Sequence, residues 1–209
     1  MNKGKYISFI ILFMFIGCKR VMLDQKSLEL QPYQTNDILI FQSNQGEIDT
    51  IKIKHIESYV NPTDPLDVFP TKTETLFVTG NISARKIAKD IMGRPITNRH
   101  INLLELGSSD EVDYFEFTFY NPNNQLKCPT TVLSSEDLRE KIESNQNEIT
   151  TIKAKEYYNT DLYNIDNDLI KFNWHKELGY TKFFYKENIT LELINFIRNN
   201  ESIIKQKKP

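Results

Sequence analysis

Apolar and polar residues alternate with a period of two along much of this chain, and that alternation predicts strands. Ile38-Leu39-Ile40-Phe41 reads as a short apolar strand, and Ser43-Asn44-Gln45-Gly46 as a turn in which Gly46 takes positive φ freely. Ile51 and Ile53 then alternate with Lys52 and Lys54, so Ile38–Tyr59 is predicted to be a β-hairpin, broken by Asn61-Pro62-Thr63-Asp64-Pro65. Thr71–Thr79 is a second strand region, expected to end at Gly80. Ile101–Leu106 and Asp113–Tyr120 form the clearest strand pair, with Phe115, Phe117 and Phe119 on one face and Glu116 and Thr118 on the other. Residues 149–196 read as a meander of four short strands. In it Ile170, Phe172 and Trp174 alternate with Lys171 and Asn173, and Glu177-Leu178-Gly179 turns the chain. The stretch from Leu193 to Ile204 is also compatible with a helix.

Two segments carry a helical period instead. Ile87 and Ile91 lie four apart behind Ser83, predicting a short helix over 83–92 that Gly93-Arg94-Pro95 stops. Ser134-Ser135-Glu136-Asp137 is a helix start, with a hydroxyl for the first-turn amides and acids at the positive end of the dipole. Leu138 and Ile142 give that helix an apolar side. The pattern as a whole predicts a mainly β, β-rich α+β chain: a curved antiparallel sheet or β-sandwich-like meander with one or two short helices, in a single domain over 37–199.

The first apolar run breaks the alternation. Lys3 and Lys5 precede Tyr6–Ile16, which closes on Gly17-Cys18 and then Lys19-Arg20. A basic start, a short apolar middle and a small residue before a cut make a secretory signal. The run is too short to span a bilayer, which takes about 20 apolar residues. With Cys directly after Gly, residues 1–18 resemble a bacterial lipoprotein signal. Ile16 fits that family's pattern, and Phe15 stands where Leu is usual. The resemblance implies that Cys18 is acylated, palmitate included, and becomes the mature N-terminus after residues 1–17 are removed. Lys19 in place of Asp implies the outer membrane, on either its periplasmic or its outer face. Residues 18–36 are mostly polar, with Pro32 interrupting, and read as a flexible tether. Residues 200–209 read as a basic, disordered tail.

Composition removes some function classes. Without residues 1–17, which hold two Lys and no acid, 24 basic and 28 acidic side chains remain, a net of about −4. No basic patch argues for nucleic acid. The only cysteines are Cys18 and Cys128, so acylation of Cys18 leaves no intrachain disulfide possible, and Cys128 reads as a small half-buried residue.

Candidate chemistry is sparse. His55-Ile56-Glu57 and His175-Lys176-Glu177 each place an imidazole and a carboxylate on one face of a strand. Together, His55, Glu57, His175 and Glu177 are the only metal-ligand candidates, and chance pairing explains them better, so no metal or other cofactor is expected. Asp161, Asp166 and Asp168 lack the Gly of a calcium loop. Gly-rich phosphate loops, nucleophile elbows and His-Glu-x-x-His motifs are missing. The Phe115, Phe117 and Phe119 stripe is a sheet core or the lining of an apolar cavity. Trp174, Tyr180, Phe183 and Tyr185 are core or, if exposed, a partner-binding patch. Lys155-Glu156-Tyr157-Tyr158 and Trp174–Phe183 loosely resemble the final hairpins of small β-rich Gram-negative envelope lipoproteins, which implies a curved antiparallel sheet and no activity. The expectation is a membrane-anchored, non-catalytic binding or accessory lipoprotein whose partner is an envelope protein or an apolar ligand. A lipid or lipoprotein carrier is the alternative, and a hydrolase a weaker one.

Overall fold

The computed structural model describes residues 19–64, 66, 70–83, 100–118, 130–146, 148–154 and 169–204. The predicted helix over 83–92, the strand residues expected at 155–165, and Cys18, Phe119, Cys128, Asp161, Asp166 and Asp168 lie outside them. The chain is mainly β, as the alternation predicts. Its strands are β1 (Arg20–Val21), β2 (Ile38–Ser43), β3 (Ile48–Pro62), β4 (Lys72–Ser83), β5 (His100–Gly107) and β6 (Tyr114–Thr118). The second half contributes β7 (Thr130–Ser134), β8 (Ile149–Lys153), β9 (Leu169–His175), β10 (Gly179–Tyr185), β11 (Thr190–Arg198) and β12 (Glu201–Ser202). Two helices are described, α1 (Gln25–Leu28) and α2 (Ser135–Glu143).

One sheet holds all the strands, in the order β7-β6-β5-β4-β3-β2-β11-β10-β9-β8, with β1 beside β4 and β12 beside β11. The order is two meanders, β2–β7 and β8–β11, joined where β11 pairs antiparallel with β2. The sheet rolls up until its far ends meet across the interior. Phe117 of β6 lies 5.2 Å from Phe172 of β9 and 5.0 Å from Trp174, ring centre to ring centre. The Tyr180 hydroxyl of β10 donates to the Leu103 carbonyl of β5 at 2.8 Å. The helix α2 follows β7 and leads to β8, the two ends of the strand order, with Leu138 and Ile142 buried. It begins as its sequence requires, with the Ser134 hydroxyl accepting from the Asp137 amide at 3.0 Å.

Inward and outward faces alternate as the pleat dictates until a bulge intervenes. Ile51 and Ile53 of β3 point inward, but Lys54 is an extra residue between the pairs Ile53–Gly80 and His55–Thr79. Past it the phase reverses, so that His55, Glu57 and Tyr59 face outward. Gly80 therefore does not end β4, which runs on to Ser83: it lies opposite the bulge, where an added Cβ would come within 2.7 Å of the Lys52 carbonyl. Nor does Pro62 break β3 early. Beyond Lys52 β3 has no pairing to β2, and on such an open edge Pro withholds no ladder donor.

The expected tether is part of the fold. Val21 pairs with Thr73, Leu23, Leu30 and Tyr33 are buried, and the Asp24 amide donates to Asp113 at 2.8 Å. The Tyr33 ring stands edge-on to Trp174 at 6.0 Å, and its hydroxyl accepts from the Tyr180 amide at 2.9 Å. Gly179, at φ 70°, leaves the space the phenol occupies, since a Cβ there would sit 2.0 Å from the Tyr33 oxygen. Polar spacing concealed this because the three buried apolar anchors are irregularly placed. The tail is likewise shorter than expected: Glu201 and Ser202 pair with Arg198 and Ile197, and residues 205–209 lie outside the described part. The alternative helix from Leu193 to Ile204 is strand instead, because β2 and β10 supply partners for its backbone.

Strand direction divides the molecule into two ends. The N-terminal segment, α1, α2 and the overhanging tip of the β3–β4 hairpin share one end. The C-terminal ends of β4, β6 and β8 share the other, together with the Gly46 turn.

Candidate functional site

On the outer face of β3, β4 and β5, two of the described imidazoles and a carboxylate share a groove. The bulge at Lys54 turns His55, Glu57 and Tyr59 outward in a row. Pairing then sets Thr79 beside His55 and Phe77 beside Glu57, and β5 brings in His100. These six residues line an open groove of about 340 Å³. His55 Nδ1 is 3.4 Å from Glu57 Oε1, and Glu57 Oε2 accepts from the Tyr59 hydroxyl. That hydrogen bond, followed by the charge of Glu57, raises the Tyr59 phenol above its ordinary value. Tyr59 and Phe77 meet edge to face at 6.0 Å.

This arrangement suits recognition better than catalysis. His55 and Glu57 are largely exposed, so water screens their charges and no dry, preorganised site surrounds a reacting atom. The groove offers two imidazoles, a carboxylate and an aromatic wall, a set able to hydrogen-bond and stack against a surface ligand. Among the described residues no group of three or more His, Cys, Asp or Glu is placed to hold a metal. The second pair is not brought to the first. His175 Nδ1 accepts from the Glu177 amide at 3.0 Å in the β9–β10 turn, and β2 and β11 separate that hairpin from β3.

The aromatic candidates lie inside. Trp174, Tyr180, Phe183 and Tyr185 are buried, so of the two readings of that hairpin the core one holds and the exposed partner patch does not. A second bulge, between Tyr180 and Lys182, turns Phe183 and Tyr185 to the side that Tyr180 occupies, so all three fill the interior. Phe115 and Phe117 are fully buried and stacked at 6.0 Å, and each contributes about 2 kcal/mol of burial. Among the described residues, neither lines a cavity. Among the described residues, an apolar cavity between Phe41, Ile51, Ile82, Tyr180 and Leu191 has a volume of about 30 Å³. A water needs at least about 10–15 Å³ of such space, so a cavity of this size has room for a water or two. A third, polar groove of about 410 Å³ lies among Lys26, Glu29, Arg139, Glu143 and Lys176, three basic and two acidic side chains.

His100 is the member of the outer groove that its sequence context conceals, since Asn98-Arg99-His100 reads as a solvated strand entrance. Only the register of β5 on β4 brings it to the groove that His55 lines, and no local pattern encodes that register. Compared with protein-family models, curated proteins and solved structures, the chain matches none. The fold and the groove define a class, a nearly closed antiparallel β protein with a solvent-open polar and aromatic outer face, and no family beyond it.

Proposed function

We propose that this chain is a lipoprotein of the bacterial cell envelope, acylated at Cys18 and held in the outer membrane, whose rolled sheet is a non-catalytic binding or accessory module. The observation that carries the reading is the run Lys3, Lys5, Tyr6–Ile16 and Gly17-Cys18, a signal layout with the acyl acceptor at the cut. Two or more acyl chains hold a protein stably on a membrane, because each buried methylene contributes about 0.8 kcal/mol. Support for a binding role comes from the open outer groove of His55, Glu57, Tyr59, Phe77 and His100, which suits an envelope protein surface. The small apolar cavity among the described residues does not favour a carrier, and the solvated His55–Glu57 pair does not favour a hydrolase. The test is Cys18→Ser in cells fed a labelled fatty acid. Loss of the label and a shift of the protein out of the membrane fraction are expected. Unchanged labelling or unchanged membrane retention refutes the reading.

A further inference from the structure

Resting on acylation of Cys18, a second membrane contact follows from where the anchor joins the fold. Lys19, the next residue, is not on a spacer: its carbonyl accepts from the Lys72 amide at 2.8 Å, and Arg20 pairs with Lys72. Lys72 is also the outermost rung of the β3–β4 hairpin, opposite Pro62. One residue spans only about 3.8 Å. The acyl chains of Cys18 therefore leave the protein beside the hairpin end, and the anchored domain has no slack with which to stand off.

That end is built to meet an apolar surface. The pairing of β5 with β4 stops at Thr75–Gly107, so the outer rungs of the hairpin overhang the rest of the sheet, flanked only by β1. Seven large apolar side chains are exposed among the described residues, and four of them gather here: Met22 at 53%, Tyr59 at 48%, Val60 at 42% and Leu66 at 93%. Leu66 occupies the hairpin loop, held by its amide donating to Asp64 at 2.9 Å. An exposed leucine alone needs no explanation, but four large apolar groups around an acylation point do. Tyrosine also suits the headgroup layer, where its ring is buried and its hydroxyl stays wet. Of the basic groups at this end, Lys19 is paired with Asp110 at 2.8 Å, while Arg20 and Lys72 stand next to each other on the β1–β4 pair.

We propose that the overhanging β3–β4 hairpin end, with Leu66, Val60, Tyr59 and Met22, is a bilayer-contact surface that seats this end of the domain in the lipid interface. The opposite end, with the Gly46 turn, then points away from the membrane.

The experiment uses the full-length acylated protein, with Cys128→Ser and a single probe thiol at Leu66→Cys or at Gln45→Cys in the opposite turn. Each is labelled with a polarity-sensitive dye and reconstituted into phosphatidylcholine vesicles with and without brominated acyl chains. A group about 5–10 Å into the interface should be quenched about twofold or more strongly than one in water, so quenching at 66 and not at 45 is expected. Acylated, vesicle-bound protein whose probe at 66 stays as wet as that at 45 overturns this surface and leaves the anchor standing. Absence of the acyl mass from Cys18 overturns both. Protection of the probe at 66 only on addition of envelope proteins, with no lipid quenching, assigns the patch to a protein partner and also overturns it.

Discussion

Tyr33→Phe isolates one atom in the segment whose composition reads as a tether. The ring stays, and with it the edge-on contact with Trp174 at 6.0 Å and the cover over Gly179. Only the hydroxyl that accepts the Tyr180 amide at 2.9 Å is lost. That amide is buried, so its donor is left unmet, at a cost of about 1–3 kcal/mol. For a domain of this size each kcal/mol moves Tm by about 2–4 °C, so a fall of about 4–8 °C is expected from a loss near 2 kcal/mol. Alkaline pH supplies a second readout. Burial raises the Tyr33 phenol well above its ordinary value of 10.0; the Tyr180 amide pulls it back in part, and Asp37 pushes it up again. Below pH about 10 the phenol is protonated in both folded and unfolded chains, and its contribution to stability is complete. Above that pH the unfolded chain releases the proton while the folded one keeps it, so stability declines as pH rises. Chemical denaturation followed by Trp174 fluorescence from pH 8 to 11 should show a shallower alkaline loss in Tyr33→Phe than in the parent. An unchanged midpoint at pH 8 together with parallel alkaline limbs would show that residues 19–36 do not pack against the sheet.

Two further expectations use the same denaturation assay. Arg198 holds the buried Asp37 through Nε to Oδ1 at 3.0 Å and Nη2 to Oδ2 at 2.6 Å, and Nη2 also reaches the Pro32 carbonyl at 2.6 Å. Arg198→Met strands the carboxylate and should cost about 3–5 kcal/mol, while adding Asp37→Asn should recover part of that in a double-mutant cycle; simple additivity would refute the coupling. Glu105 and Glu116 stand directly opposite each other on β5 and β6, and burial, then Glu116, raises the Glu105 carboxyl above its ordinary 4.5. Its contribution is therefore most favourable below pH about 4.5 and is lost as pH rises, so Glu105→Gln should gain about 0.2–1 kcal/mol at pH 7 and nothing at pH 4; a loss at pH 7 would reverse the sign assigned to the pair.

Local chemistry made much of this protein readable from its residues. Strand alternation at Ile51–Ile53 and Phe115–Phe117, the Gly46 turn and the Ser134 cap each depend on neighbours a few positions away, and each appears where the pattern places it. The Lys-flanked apolar run and Gly17-Cys18 are local in the same sense. What the residues alone left open depends on partners far along the chain. The phase reversal at Lys54 costs one unpaired residue and exists because Gly80 lets a strand approach closely there, so which face His55 and Glu57 occupy was decided across the β3–β4 pair. His100 joins them only through the register of β5. Alternation already puts Trp174 on the inner face, but what covers it and Tyr180 is β6, brought onto β9 and β10 by the rolled sheet, a closure that no period of two can encode. Residues 19–36 became structure because Tyr33 finds the one backbone amide and the one side-chain-free position, Tyr180 and Gly179, that admit it, more than 140 residues away.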